Sequence, residues 1–166
     1  MEVRPTRSGD WAELRRTRLT ALADSPDAYA ATLAGESALA DEVWQQRAAP
    51  SEHRANFAAV ESRVWLGMCA ILGDEDRDSA QLVALWVDPA HRGRGVGAAL
   101  VAAVTAWCRD RGIGRLRLWV NEVNESAIRL YERCEFQRTG ERKPLPNHPG
   151  QMEIAMAAAP LPPHPG

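Results

Sequence analysis

One turn constrains this chain more than any other feature. It is Arg92-Gly93-Arg94-Gly95-Val96-Gly97, with the apolar run Gln81 to Val87 before it and a long helical pattern after it. Glycine lets backbone approach a ligand closely, because no side chain intervenes. A helix that starts there presents unpaired N–H groups and a partial positive charge of roughly half an elementary unit. Arg92 and Arg94 add two full positive charges. Such a site suits a phosphate or pyrophosphate. The rival reading is a surface turn that is merely rich in glycine and arginine. Three alternate glycines, two arginines and a helix start at one point disfavour it.

Around this turn the chain reads as one mixed α/β domain. Glu2 to Pro5 is a short strand, and Asp10 is placed to cap a helix from Trp11 to about Ala23. Asp24-Ser25-Pro26-Asp27 breaks that helix, Tyr29 to Gly35 is ambiguous, and a second helix covers about Ala40 to Ala48, ending before Pro50. Residues 54 to 73 read as two strands joined near Glu61-Ser62-Arg63, and Gly73 to Asp78 as a charged, solvated hairpin tip. The run Gln81 to Val87 is apolar almost throughout, which places it centrally in a sheet.

Gly97 to Arg111 is the clearest helix, with Leu100, Val101, Val104, Trp107 and Cys108 on one face and Gly112 at the C-terminal cap. Arg115 to Val120 alternates basic and apolar residues, as a strand with one solvated face does. A short helix follows from about Glu125 to Cys134, with Asn124 as its cap. Gln137 to Lys143 and Gln151 to Ala157 form a last pair of strands, and the proline-rich residues 160–166 read as a disordered tail behind a domain of residues 1–159.

Composition removes several classes of function. A chain of 166 residues fits one domain and can bury a core without staples. Its net charge of −2 argues against a nucleic-acid coat. No apolar run reaches the roughly 20 residues that span a bilayer. The start MEVRPTRSGDW lacks an apolar signal core, so a cytoplasmic protein is expected. Cys69, Cys108 and Cys134 show no paired spacing and read as reduced thiols, neither a disulfide frame nor a metal site.

Two nucleotide signatures bear on the loop. The Walker pattern is absent. Gly93, Gly95 and Ala98 match the dinucleotide pattern G-x-G-x-x-A, which would suit a nucleotide-dependent oxidoreductase, but Asp88 to Arg92 intervene between strand and glycines. The repeated βα units of a doubly wound sheet are also missing.

A third pattern fits better. Arg92 to Gly97 matches, at every defined position, the R/Q-x-x-G-x-G/A loop, and Asn124-Glu125-Ser126-Ala127-Ile128-Arg129-Leu130-Tyr131 matches N-x-x-A-x-x-x-Y about 30 residues later. In both respects the chain resembles the GNAT superfamily of N-acetyltransferases. One departure is Glu135, which stands where the family has a glycine before Phe136.

The resemblance implies a single-domain GNAT-like α/β fold. That fold has a mixed, mostly antiparallel sheet of six or seven strands, about four flanking helices and two splayed central parallel strands. It implies acetyl-CoA as cofactor, with Arg92, Gly93, Arg94, Gly95, Val96, Gly97 and Ala98 around the pyrophosphate. Leu85, Trp86 and Val87 would meet the pantetheine arm, Asn124 would hydrogen-bond the cofactor, and Tyr131 would direct its hydroxyl at the sulfur. Taken alone, Tyr131 also fits an amphipathic core residue and Asn124 a plain helix cap.

The implied reaction is direct attack, in a ternary complex, by a primary amine of a small molecule or peptide. The alternative is a non-catalytic acyl-CoA sensor on the same fold. An amine of pKa about 10.4 is almost wholly protonated at pH 7, so a proton must leave before attack. Tyr131 is the acid for the departing thiolate. The base stays open among Glu36, Glu61 and a water chain. His53, His91 and His148 are isolated, though His91 adjoins the phosphate loop. Acceptor recognition is expected from residues 24–48, including Tyr29 and Trp44, and from Lys143 to Gly150. A homodimer stays open.

Overall fold

A computed structural model describes residues 1–74 and 78–158, so the centre of the hairpin tip and the proline-rich tail lie outside the described residues. Seven strands form one sheet in the order β1-β2-β3-β4-β5-β7-β6. They are β1 (Glu2–Pro5), β2 (Arg54–Glu61), β3 (Val64–Gly73), β4 (Ser79–Val87), β5 (Arg115–Asn121), β6 (Phe136–Pro144) and β7 (Met152–Ala158). The α-helices are α1 (Trp11–Asp24), α2 (Leu33–Ser37), α3 (Asp41–Ala48), α4 (Val96–Asp110) and α5 (Glu125–Arg133). Neighbouring strands run antiparallel except β4 and β5, which are parallel. Among the described residues, seven strands settle the expected six or seven, and the short α2, in the ambiguous stretch, brings the α-helices to five. No helix among the described residues is long and apolar enough to cross a membrane.

The sheet carries helices on both faces. Leu100, Val101, Val104 and Cys108 of α4 join Ile128 and Tyr131 of α5 against Leu66, Ile71, Leu82, Leu116 and Leu118 of the strands. On the other face, Leu14 and Leu22 of α1 and Trp44 of α3 pack with Trp65, Met68 and Trp86. Each buried side chain of this size contributes about 1.5–3 kcal/mol through removal of apolar surface from water. Gly112 closes α4 at φ 70°, as its cap position demands.

The parallel pairing of β4 with β5 is short. It joins Ser79, Ala80 and Gln81 to Arg115, Leu116 and Arg117 and then stops, although β4 continues to Val87 and β5 to Asn121. The strands therefore splay toward their C-terminal ends. A bulge accompanies the parting. Ala70 and Met68 of β3, two residues apart, face Val83 and Trp86 of β4, three apart. Ala84 inside the bulge has φ 57°, a left-handed conformation that alanine adopts only at a cost of roughly 1–2 kcal/mol.

Two local expectations are corrected. Asp10 stands before α1 but does not cap it. Its carboxylate accepts instead from the Arg4 guanidinium at 2.8 and 3.0 Å and from the Arg7 N–H at 2.8 Å. An arginine pair and a neighbouring amide outcompete the helix N–H groups, and Arg4 in particular holds the Asp10 pKa below the usual carboxylate value.

Glu135 does take up a strained turn, at φ 68° after α5. Glycine there would remove a left-handed penalty of roughly 1–2 kcal/mol, offset by its own entropy cost of about 0.5–1 kcal/mol. Glu135→Gly is thus expected to raise the melting temperature by about 2–4 °C. A melting temperature that falls would show that Glu135 is held by more than its backbone.

Candidate active site

The splay opens a cleft of ≈ 670 Å³, lined by Leu85, Trp86 and Val87 of β4, by the glycine loop and by one face of α5. Of the residues expected at a cofactor, Leu85, Trp86, Val87, Arg92, Gly93, Gly95, Val96, Gly97, Ala98, Asn124 and Tyr131 all line it. Arg94 does not. Its guanidinium turns to His91 Nδ1 at 2.8 Å and to Glu61 at 3.1 Å. His91 itself lines the cleft.

The loop's backbone fits a phosphate-bearing ligand. Gly95 is the residue before α4 and has φ 81°, and beyond its two chain neighbours no atom lies within 4 Å of where its Cβ would stand. Gly93 is alike, at φ 77° with open space around the Cβ position. No side chain therefore stands between these peptide groups and the cleft. Gly97 serves packing instead: a Cβ there would lie 2.8 Å from Leu130 of α5. The absence of that carbon lets the start of α4 close on α5, so both helices wall the same cleft.

Arg92 is already engaged. Its Nε donates to the Val87 carbonyl at 3.0 Å, and its guanidinium pairs with Asp24 at the end of α1. Asp24 also accepts from Ser25 Oγ at 2.7 Å and Trp86 Nε1 at 3.0 Å. The Ser25 hydroxyl and the Trp86 indole, more than Arg92, keep the Asp24 pKa lowered. This knot ties α1, β4 and the glycine loop together.

On α5, Asn124 does two jobs. Its Oδ1 accepts from the Ala127 N–H at 3.2 Å, which caps the helix, while the residue borders the cleft. Tyr131 lies seven residues on, two turns along the same face. Its ring tilts against Phe136 with centroids 5.8 Å apart. Burial above all, then nearby Tyr29, pushes its pKa upward. Its hydroxyl therefore keeps its proton at neutral pH and is a hydrogen-bond donor.

A second chamber of ≈ 410 Å³ lies on the α1–α3 side of the sheet. Tyr29 and Ala28 line both spaces, while Ala84 of the bulge borders one and Leu85 the other. The Tyr29 hydroxyl donates to the Leu85 carbonyl at 3.3 Å. Tyr29 and Trp44, both read as acceptor-slot residues, line this chamber, as do Lys143 near the end of β6 and Pro146 from the segment between the last strands. That segment is bound to the stretch after α1: Asn147 donates to the Ala30 carbonyl at 2.8 Å, and His148 Nε2 lies 2.9 Å from the Tyr29 carbonyl.

Of the carboxylates considered as base, Glu36 lines the chamber and Glu61 lines neither space. Glu61 is tied to Arg94, which holds its pKa down. Sequence reasoning missed Glu153, a buried carboxylate of β7 in the chamber wall, and Arg18, Arg47 and Arg54 beside it. It also missed Leu130 and Arg133 in the cofactor cleft. The only signal for Glu153 was a lone acid in an apolar strand.

Residues 19–136 match the acetyltransferase (GNAT) family. The chain belongs to that family. Among curated GNAT-type relatives, a mycothiol acetyltransferase of Thermobispora bispora is 38% identical over 74 residues, covering 45% of this chain and 25% of that protein. The matched part thus spans about a quarter of that relative's length. An acetyltransferase of GNAT family from Streptococcus pneumoniae superposes with a TM-score of 0.81 at 20% identity, over 95% of this chain and 98% of that one. An acetyltransferase from Salmonella typhimurium, solved with its cofactor acetyl-CoA, gives 0.74 at 20% identity, over 100% and 96%. At such identities these structures establish the shared GNAT fold.

Proposed function

We propose that the protein is an acetyl-CoA-dependent N-acetyltransferase that acetylates a primary amine by direct attack in a ternary complex. One observation carries this reading: two separate spaces border neighbouring residues of the β4 bulge, Ala84 and Leu85, with Tyr29 in the wall of both. The glycine loop and the start of α4 would hold the pyrophosphate, and Leu85 to Val87 with Asn124 the pantetheine arm. Acetyl-CoA supplies an activated acetyl thioester. The chain's own groups would bring the amine to it through the bulge and keep bulk water away. A carboxylate of the chamber, Glu153 or Glu36, would take the amine's proton directly or through water. Both are ion-paired, Glu153 with Lys143 at 3.3 Å and Glu36 with Arg18 at 2.9 Å. Tyr131 would return a proton to the departing sulfur. The protein would work in the cytoplasm, where Cys69, Cys108 and Cys134 would remain the free thiols they are here.

The deciding experiment measures CoA release from acetyl-CoA with a panel of small amines, amino acids, aminoglycosides and peptide N-termini, beside thermal shifts with acetyl-CoA and NAD. Turnover with an amine, and protection by acetyl-CoA but not NAD, is the expected result. Protection without turnover on any amine would favour a sensor.

The two loop arginines should separate in kinetics. Arg92 borders the cleft and Arg94 does not. Arg92→Ala is expected to raise KM for acetyl-CoA by up to about tenfold, since a charge-assisted contact is worth about 1.5–3 kcal/mol before solvent screening reduces it. Arg94→Ala should change it about twofold at most, within the range of a screened surface charge. Equal effects would show that position in the cleft wall does not set their roles.

A further inference from the structure

The acceptor chamber holds more positive charge than its own carboxylates neutralise. Arg18, Arg47, Arg54 and Lys143 line it, against Glu36 and Glu153. Both carboxylates are committed: Glu36 to Arg18 at 2.9 Å and Arg47 at 3.3 Å, and Glu153 to Lys143 at 3.3 Å. Arg54 enters no ion pair among the described residues.

The hydrogen-bond count points the same way. Three buried N–H donors have no acceptor among the described residues and belong to chamber-lining side chains: Arg18 Nη1, Arg54 Nε and Trp44 Nε1. Buried donors are normally satisfied, and an unmet one carries a desolvation cost. All three lack an acceptor, not a donor, so the protein by itself leaves the chamber wall short of acceptor oxygens. Burial first, then the nearby Arg47 cation, lowers the Arg54 pKa.

Position links this site to the reaction. The Arg18 guanidinium lies over the Tyr29 ring, 4.6 Å from its centroid, and Tyr29 stands where chamber and cofactor cleft meet. Arg54 lies further along, opposite Leu72, which in turn faces Gln81. Gln81 precedes Ala84 by three residues, or about 10 Å of strand. An amine at the bulge and an anionic group between Arg18 and Arg54 would therefore belong to one small molecule.

We propose that the acceptor is a small acidic amine, whose carboxylate or phosphate is held by Arg54 and Arg18 while its amino group reaches the β4 bulge. This rests on the acetyltransferase reading above. A polycationic acceptor is disfavoured, because it would meet unneutralised arginine rather than free carboxylate. A guanidinium presents a planar fork that suits either anion.

The test compares matched pairs in the CoA-release assay: L-leucine and L-glutamate against their α-amides, 4-aminobutyrate against its amide, and 2-aminoethyl phosphate against ethanolamine, with spermidine as polycation. The acid member should win by about tenfold or more in kcat/KM in at least one pair, as a charge-assisted contact predicts. Which pair responds tells carboxylate from phosphate. Arg54→Met should cut that ratio to about twofold, keep the acetyl-CoA thermal shift and leave the melting temperature equal or higher, because an unpaired half-buried charge is removed. Amides or spermidine matching the acids would overturn the proposal while leaving the acetyltransferase reading intact. If no amine is turned over, calorimetric titration of the CoA-loaded protein with glutarate and with inorganic phosphate decides. Millimolar binding lost in Arg54→Met supports the anion site even where the acetyltransferase reading has failed, and no binding overturns it.

Discussion

Gly95→Asp is expected to fold normally and to lose acetyl-CoA. The position has φ 81° and open space around its Cβ. Aspartate is among the few residues that accept a left-handed conformation, at roughly 1–2 kcal/mol or less. Two effects then oppose the ligand. The carboxylate, standing just before α4, can take the helix N–H groups that a pyrophosphate would use. Its charge also repels the phosphates: two like charges at 4 Å interact by about 4 kcal/mol at an effective dielectric near 20. A loss of affinity of about a hundredfold or more follows, allowing for screening. Thermal melting checks both halves at once. The free variant should melt within a few degrees of wild type, while the upward shift given by acetyl-CoA disappears. Gly95→Asn, which keeps the shape without the charge, should fall between. Wild-type affinity in a folded Gly95→Asp would mean that this loop does not hold the phosphates.

Tyr131→Phe is expected to lower kcat by roughly tenfold or more, a floor below the usual 10²–10⁴-fold of general-acid catalysis because a thiolate departs easily. The ring's packing on Phe136 is kept and only the hydroxyl is lost, so the melting temperature should barely move. The raised pKa gives a second readout. An acid whose pKa lies above the ordinary tyrosine value of about 10 stays protonated below that pH. Its ionisation therefore removes no activity at neutral or mildly alkaline pH, and any limb in the wild-type profile there belongs to the amine or its base. The phenylalanine variant should show the same limbs at lower amplitude. A kcat within about twofold of wild type would return Tyr131 to a packing role, since general-acid loss costs far more.

The two predictions differ in what they could draw from the sequence. The glycine loop, the start of α4 and the pairing of Asn124 with Tyr131 are local: each is written within a dozen residues, where helical period and glycine geometry fix what shares a face. The same holds for Gly112 as a cap and for the buried stripe of α4. The centrality of β4 was legible too, because a strand covered on both faces must be apolar throughout. Locality also marks where such reading stops. Asp10 has the right type and place for a cap, yet Arg4 and the Arg7 amide claim it. Arg92 and Arg94 look alike in the chain, but Asp24 and Glu61, contributed by α1 and β2, turn them in different directions. The bulge at Ala84 follows from the mismatch with β3, not from any special residue in β4. The chamber on the α1–α3 side of the sheet is the extreme case. Arg18, Glu36, Arg54, Lys143 and Glu153 come from five separate elements or their flanks. Taken singly, each reads as an ordinary surface charge or an odd residue in a strand. Only the packing of α1, α2 and α3 on one sheet face, beside β6 and β7, brings them around one chamber, and that gathering is what sets scattered charges facing a common space.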